Sequence, residues 1–168
     1  MARLVPVLPI IAGCIAVDQS SKALARKYLA PDGFFSFAAD TLRLQYAENT
    51  GAFLGLGAAL PDPWRHAIFT VSVGLLLGAL LVYLIFSRTH SQFSLACLAL
   101  VCGGGLSNLI DRIVYDGRVI DFLNIGIGPL RTGIFNIADM AITGAAVFLV
   151  VESLIRPAAT NVLRSQPS

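Results

Sequence analysis

Read along its apolar and polar positions, the chain divides into four long apolar segments. Residues 67–87 carry no charged side chain, and residues 93–110 run uncharged up to Asp111 and Arg112. Each comes close to or exceeds the run of about 20 apolar residues that crosses a bilayer as a helix. The outer two segments are less clean. Residues 4–17 are apolar up to Asp18, with a helical continuation to Ala25, and residues 140–151 extend back through "FNIAD" and forward to Ile155. The pattern predicts helices over about 4–25, 66–87, 93–113 and 137–155, in a single membrane domain spanning residues 1–168. The connections at about 34–57 and 117–134 read differently. Leu42, Leu44 and Tyr46 alternate with period two, and "GRVIDFLNIGIG" is rich in β-formers and ends in Gly and Pro, so both predict short strands. Such strands could offer an edge to an extended peptide. "PDPW" at 61–64 reads as a turn leading into the second helix, with Trp64 at interface depth.

The polar residues fall at particular ends of these segments. Asp18 and Lys22 lie at the C-terminal end of the first, and Arg65 and His66 at the N-terminal end of the second. Asn108, Asp111 and Arg112 lie at the C-terminal end of the third, and Asn136 and Asp139 at the N-terminal end of the fourth. Successive spans alternate in direction, so all four ends meet one membrane face, and the opposite ends read as plain. Ionisable groups inside a membrane segment are costly unless paired or wetted, and mark functional sites by default. Helix-end charges snorkelling to the interface are the bland alternative. Asp18 with Lys22, and Asn108 with Asp111 and Arg112, share helix faces by their i, i+3, i+4 spacing, which favours an organised cluster. A transporter subunit would instead hold such groups near mid-bilayer on broken helices.

Composition agrees with this pattern. Of 168 residues, 56% are hydrophobic and 13% charged, against roughly 45–50% and 25% in soluble domains. The net charge of +2 comes without a basic run, so no nucleic acid partner is expected. Cys14, Cys97 and Cys102 sit in apolar stretches and read as small buried hydrophobes. His66 and His90 stand alone without a metal-binding motif, so neither metal nor cofactor is expected. "IAGC" at 11–14 has the form of a lipobox, the site at which a lipoprotein signal peptide is cut. The apolar residues after Cys14, the prolines at 6 and 9 and the three further apolar segments favour an ordinary helix, with Gly13 and Cys14 at a close helix contact.

Nucleophile systems fit poorly. Ser20 and Ser21 are too near Lys22 in sequence to face it on a helix, and "GLSN" at 105–108 lacks the final glycine of a GxSG motif. Carboxylates remain. Asp121 in "VIDF" and Asp139 in "FNIAD" are expected at the same membrane face. Two carboxyls brought close there could share a proton, one activating water and the other protonating a scissile carbonyl. Asn136 and Asp139 have the spacing of a helix N-cap and its third residue, and the helix N-terminus favours the negative charge on Asp139. Helix capping plus a turn would explain the same two aspartates, and spacing alone does not separate the readings.

Five motifs, taken in order, add a resemblance. "DQSSK" (18–22), "NTGAF" (49–53), "GGGLSNLIDR" (103–112), "VIDF" (119–122) and "FNIAD" (135–139) are similar to those of bacterial lipoprotein signal peptidases. The resemblance implies a mainly α integral membrane protein with four transmembrane helices and a small extramembrane β-cradle and flap on one face. It implies an aspartyl endopeptidase that removes signal peptides from diacylglyceryl-modified prolipoproteins, cutting just before the lipidated cysteine. Asp121 and Asp139 match the catalytic pair. Asn49, Asn108, Arg112 and Asn136 match positions lining the pocket, and Asp18 and Lys22 a supporting ion pair. Ser107 stands where the family often has Gly, Gly105 where it often has Ala, and Phe53 comes one position early.

The implied partners are the lipid-modified prolipoprotein and membrane lipids, with the enzyme a monomer in the bacterial inner membrane. The active face is expected outside the cytoplasm and both termini inside. Simple positive-inside counting gives the reverse, since Lys22, Arg26, Lys27, Arg43, Arg65, Arg112, Arg118 and Arg131 would lie outside against Arg3, Arg88, Arg156 and Arg164 inside. We follow the resemblance, because many of the outer cations are expected in folded loops and the polar site.

Overall fold

A computed structural model describes residues 7–29, 33–51, 57, 59–86 and 91–155. Four helices are long and apolar enough to cross a membrane: α1 (Val7–Tyr28), α2 (Asp62–Phe86), α3 (Gln92–Val114) and α4 (Ile137–Ile155). The second helix starts earlier than "PDPW" suggests. Pro61 sits at its N-cap and the prolines occupy the start of the helix, where their missing N–H costs nothing. Within α2, Ala67–Ser72 is π-helical.

α3 is the central helix, packed against α1, α2 and α4, and half of its apolar window is buried, against 11% for α2. Three consecutive glycines make that position possible. Successive helical residues turn by about 100°, so each glycine meets a different neighbour. A Cβ on Gly103 would lie 2.9 Å from Cys14 Cβ of α1, one on Gly104 2.8 Å from the Ala138 carbonyl oxygen of α4, and one on Gly105 2.6 Å from Leu77 Cδ2 of α2. The close contact with α1 is therefore made at Cys14, whereas Gly13 faces open space. Val7, Ile11, Leu84, Leu95, Ala99 and Cys102 fill the core between α1, α2 and α3. Cys97 and Cys102 are buried, and Cys14 is half-buried.

The extramembrane segments form one antiparallel sheet in the order β1 (Phe34–Phe37), β2 (Leu42–Asn49), β3 (Val119–Ile127), β4 (Leu130–Arg131). A register shift between Leu44 and Ala47 in β2 puts Ala47 opposite Asp121 and Asn49 opposite Val119. Phe122, Leu44 and Leu123 pack on Ala25 and Leu29 at the end of α1, which seats the sheet on the bundle. After β4 the chain returns along β3. Thr132 N donates to the Ile125 carbonyl at 2.7 Å, Phe135 N to that of Leu123 at 2.9 Å, and Phe122 N and Leu123 N both donate to the Phe135 carbonyl. This return pins the start of α4 beside Asp121.

The membrane face expected to be plain is not. Ser91 caps α3 by accepting from Ser94 N, and the Ser91 and Ser94 hydroxyls donate to the two oxygens of Glu152 near the end of α4 at 3.2 and 2.7 Å. Two hydroxyls and the nearby helix N-terminus help hold this carboxylate at that face.

Candidate active site

The site is built on the start of α4. Asn136 Oδ1 accepts from Asp139 N at 2.9 Å, and Asp139 Oδ2 accepts from Asn136 N at 3.3 Å. This reciprocal capping box satisfies two helix-terminal donors and aims the Asp139 carboxyl back over the helix end. Asp18 of α1 satisfies another, accepting from Ala138 N at 2.8 Å. Asn136 also reaches the second carboxyl, since its Nδ2 donates to Asp121 Oδ1 at 2.6 Å. Asn49 Nδ2 donates to the other oxygen of Asp121 at 2.9 Å, and its own Oδ1 accepts from Gly51 N. Asp121 and Asp139 line one cavity of about 220 Å³ between α2, α3 and α4. Phe69, within the π-helical turn, and Val73, just after it, wall it on the α2 side, and Asn49, Asn108 and Arg112 also line it.

Asp121 is 1% exposed. Burial pushes its carboxyl up to about 7, the donors on Asn49 and Asn136 pull the other way, and the neighbouring Asp139 adds to the rise.

Behind the cavity lies a buried ionic cluster. Lys22, 1% exposed, reaches Asp18 Oδ2 at 2.7 Å, Asp111 Oδ2 at 2.9 Å and Asn108 Oδ1 at 2.8 Å. All three ammonium hydrogens are thereby used. Asn108 Oδ1 also accepts from Asn136 Nδ2 at 3.1 Å, so its amide nitrogen points the other way and donates to Asp139 Oδ1 at 3.0 Å. Arg112 donates to the Gly51 carbonyl at 2.8 Å, while its Nε is buried without a hydrogen-bond partner. All eight residues singled out in the sequence therefore belong to one connected region.

Three residues outside that group complete it. Asp111 accepts from Gln19 Nε2 at 2.7 Å and from Ile120 N at 3.0 Å, tying α1 and the start of β3 to α3. Ser107 donates to Asp18 Oδ2 at 2.7 Å and accepts from Gln19 Nε2 at 3.1 Å. Gln19 and Asp111 were visible inside the motifs as polar residues on faces already carrying charge. Ser107 stood out only as a departure from the usual glycine. Residues 52–56 of the first extramembrane segment, including Phe53, lie outside the described residues, as does His90. Among the described residues no group of His, Cys, Asp and Glu is arranged to hold a metal ion.

The family model described as signal peptidase (SPase) II matches residues 10–155. A lipoprotein signal peptidase of Burkholderia ambifaria (strain MC40-6) is 42% identical over 159 residues, covering 91% of this chain and 90% of that protein. One from Chlorobium phaeobacteroides (strain BS1) is 40% identical over 146 residues, covering 82% and 88%. A solved bacterial membrane enzyme, determined by the in meso method at 2.3 Å, superposes with a TM-score of 0.78 at 23% identity, over 97% of this chain and 94% of that one. At that identity the likeness speaks for the fold.

Proposed function

The chain belongs to the signal peptidase II family, aspartic-type peptidases of prolipoprotein signal peptides, and from that premise we propose that Asp121 and Asp139 are its catalytic pair, cutting just before a diacylglyceryl-modified cysteine. One observation carries the reading: Asn136 touches both aspartates, through Nδ2 to Asp121 and Oδ1 to Asp139 N, and both carboxyls line one cavity. Capping alone would account for Asp139. It gives no reason to bury Asp121 beside it.

The roles divide by environment. Asp139, at a helix N-terminus, holds the negative charge. Asp121, raised to about 7 by burial, keeps its proton. Asp139 takes a proton from water, whose oxygen adds to the scissile carbonyl carbon, and Asp121 gives its proton to the carbonyl oxygen. The tetrahedral intermediate collapses as Asp139 returns its proton to the leaving cysteine nitrogen and Asp121 recovers one from the intermediate's hydroxyl. The C–N bond breaks and both carboxyls regain their starting states. Asn49, Asn108 and Asn136 hold the pair in place. Arg112 Nε, buried and unspent, is a donor for a substrate backbone carbonyl. Asp18 and Lys22 support the site from behind.

We place the active face outside the cytoplasm, with both termini inside. Charge counting points the other way. Lys22, Arg43, Arg65, Arg118 and Arg131 of the outer set each pair with a carboxylate, on Asp18, Asp40, Asp62, Glu48 and Asp40 respectively. Those cations belong to folded loops and the polar site, and the family resemblance carries the orientation. One chain supplies every polar group of the site, so a monomer suffices.

The test is Asp121→Asn and Asp139→Asn in the purified full chain, assayed on a lipid-modified precursor. Each should lower turnover by about 10²–10⁴-fold, the range of general acid–base catalysis. Undiminished turnover in both would overturn the assignment.

A further inference from the structure

We infer that the apolar groove between the sheet and α4 receives an acyl chain of the lipid-modified cysteine, on the side of Asp139 opposite the cavity that takes the signal peptide. The inference rests on the peptidase reading above and goes beyond it by dividing the substrate between two separate spaces.

The groove has a volume of about 360 Å³ and is walled by Ile125 and Phe135 on the sheet side and by Met140, Thr143 and Gly144 on α4, with Asp139 at its head. Asp139 and Thr143 also line the cavity between α2, α3 and α4. They are one helical turn apart, so they stand in line on α4. Ile142 faces the cavity on one side of that line, and Met140 and Gly144 face the groove on the other. The two spaces thus meet along a crest that carries a reacting carboxyl. A peptide lying across the crest has its scissile bond at Asp139, with the residues before the bond on one side and the cysteine after it on the other.

The chemistry of the groove fits a hydrocarbon chain attached to a polar head. Thr132, one of two hydroxyls in the lining, is already engaged as the acceptor from Ile125 N. The remaining polar groups, Asp139 and Thr143, lie together at the crest, and the other lining residues are apolar. Gly144 keeps the groove open, because a Cβ built there would meet nothing within 4 Å. Below it the groove continues into the bilayer-facing surface of α4. Met140, Gly144, Val147 and Val151 follow one another at four, three and four residues, and Met140, Val147 and Val151 are 52%, 57% and 42% exposed. A chain leaving the crest therefore passes along α4 into the lipid phase without crossing a polar surface.

The test uses the full chain in lipid bicelles and precursors whose cysteine carries either palmitoyl or butyryl chains. Gly144→Leu fills the groove in open space and improves helix propensity, so the fold is kept. It should raise KM for the palmitoyl precursor about tenfold or more and shrink the wild-type preference for palmitoyl over butyryl. Leu75→Phe, on the bilayer face of α2, should change neither. An unchanged chain-length preference in Gly144→Leu would overturn the inference. A second readout does not need turnover. A precursor with a photoreactive group in its acyl chain should label the peptide containing Met140 and Gly144. Labelling confined to α2, or labelling of the groove by a photoreactive phospholipid but not by the precursor, would also overturn it. If the wild-type chain failed to cut any lipid-modified precursor, the peptidase reading would fall, while the labelling pattern would still decide the groove.

Discussion

Lys22 Nζ donates to Asn108 Oδ1 at 2.8 Å from inside a cage of two carboxylates. That bond links a buried ion cluster to the reacting group, because with Asn136 Nδ2 it fixes which end of the Asn108 amide faces Asp139. The cluster also joins three helices: Lys22 and Asp18 come from α1, Asp111 from α3, and Asp18 closes on the N-terminus of α4. Removing the cation would leave two carboxylates buried, each 0% exposed, facing one another.

Lys22→Met should therefore destabilise the folded chain by about 3–5 kcal/mol, the range for breaking a buried pair from one side. Thermal unfolding in detergent micelles measures this. A second measurement separates positioning from stability. At a temperature where the variant remains folded, kcat should still fall, since the Asn108 amide then keeps only Asn136 Nδ2 of the two donors that hold its oxygen away from Asp139. A folded Lys22→Met enzyme with wild-type kcat would show that Lys22 only holds the bundle together.

The environment of Asp121 predicts a pH dependence of definite sign. Its carboxyl is raised to about 7 in the folded chain, against about 3.9 for an unperturbed aspartate. Between those values the folded state holds a proton that the unfolded state releases. The stabilisation from this proton is fully present below about 3.9 and lost as pH rises through about 7. Melting temperature should accordingly decline across that window, and Asp121→Asn, which cannot ionise, should lose this part of the decline. Turnover depends on the same proton. It should fall as pH rises past 7, approaching about tenfold per unit for a single ionisation. A rate still rising above pH 8 would contradict Asp121 as the acid.

What could be read from the sequence follows the range of the interaction. Asp18 and Lys22 four apart, and Asn136 and Asp139 three apart, announce a shared face and a capping box because helical geometry alone brings such pairs together. The apolar spans are legible for the same reason. The meeting of Asp121 with Asp139 is not periodic. It depends on Phe135 pairing with Leu123 and on a bulge in β2 that sets Asn49 beside Asp121, neither of which leaves a local signature. The resemblance, rather than spacing, singled out Asn49. Glu152 was invisible as part of a cluster because Ser91 and Ser94 come to it from the far end of another helix. Gly13 misled in the opposite direction: a small residue in a membrane helix suggests a close contact, yet Cys14 makes it.

The glycines of α3 give a prediction about helix spacing. Gly104→Ala would bring a methyl group within 2.8 Å of the Ala138 carbonyl and 2.9 Å of Ile142 Cγ1. The first of these is backbone and cannot move aside without shifting α4, and with it Asp139. The variant should lose about 1–3 kcal/mol, as overpacked cores do, and its kcat should drop. Gly13→Ala, which meets nothing within 4 Å, should be more stable than wild type by about 0.5–1 kcal/mol, the gain in helix propensity. Equal melting temperatures for the two variants would mean that α3 and α4 are not held at this distance.

Ser107 gives the final prediction. The hydroxyl donates to Asp18 Oδ2 at 2.7 Å, the oxygen that also receives Lys22, and accepts from Gln19. Asp18 is fully buried and its other oxygen caps α4, so each donor to it offsets the cost of keeping that charge out of water. Ser107→Ala keeps the helix and removes only the hydroxyl, leaving Asp18 Oδ2 with the ammonium alone. The loss should be about 1.5–3 kcal/mol, the range for hydrogen bonds to charged groups. Ser107→Gly should cost more, because it adds roughly 1 kcal/mol of helix propensity to the same missing bond. Unfolding of the two variants in parallel measures both effects. If Ser107→Gly proved the more stable, a water molecule in the vacated space would be supplying the donor to Asp18, and the hydroxyl would be replaceable by solvent.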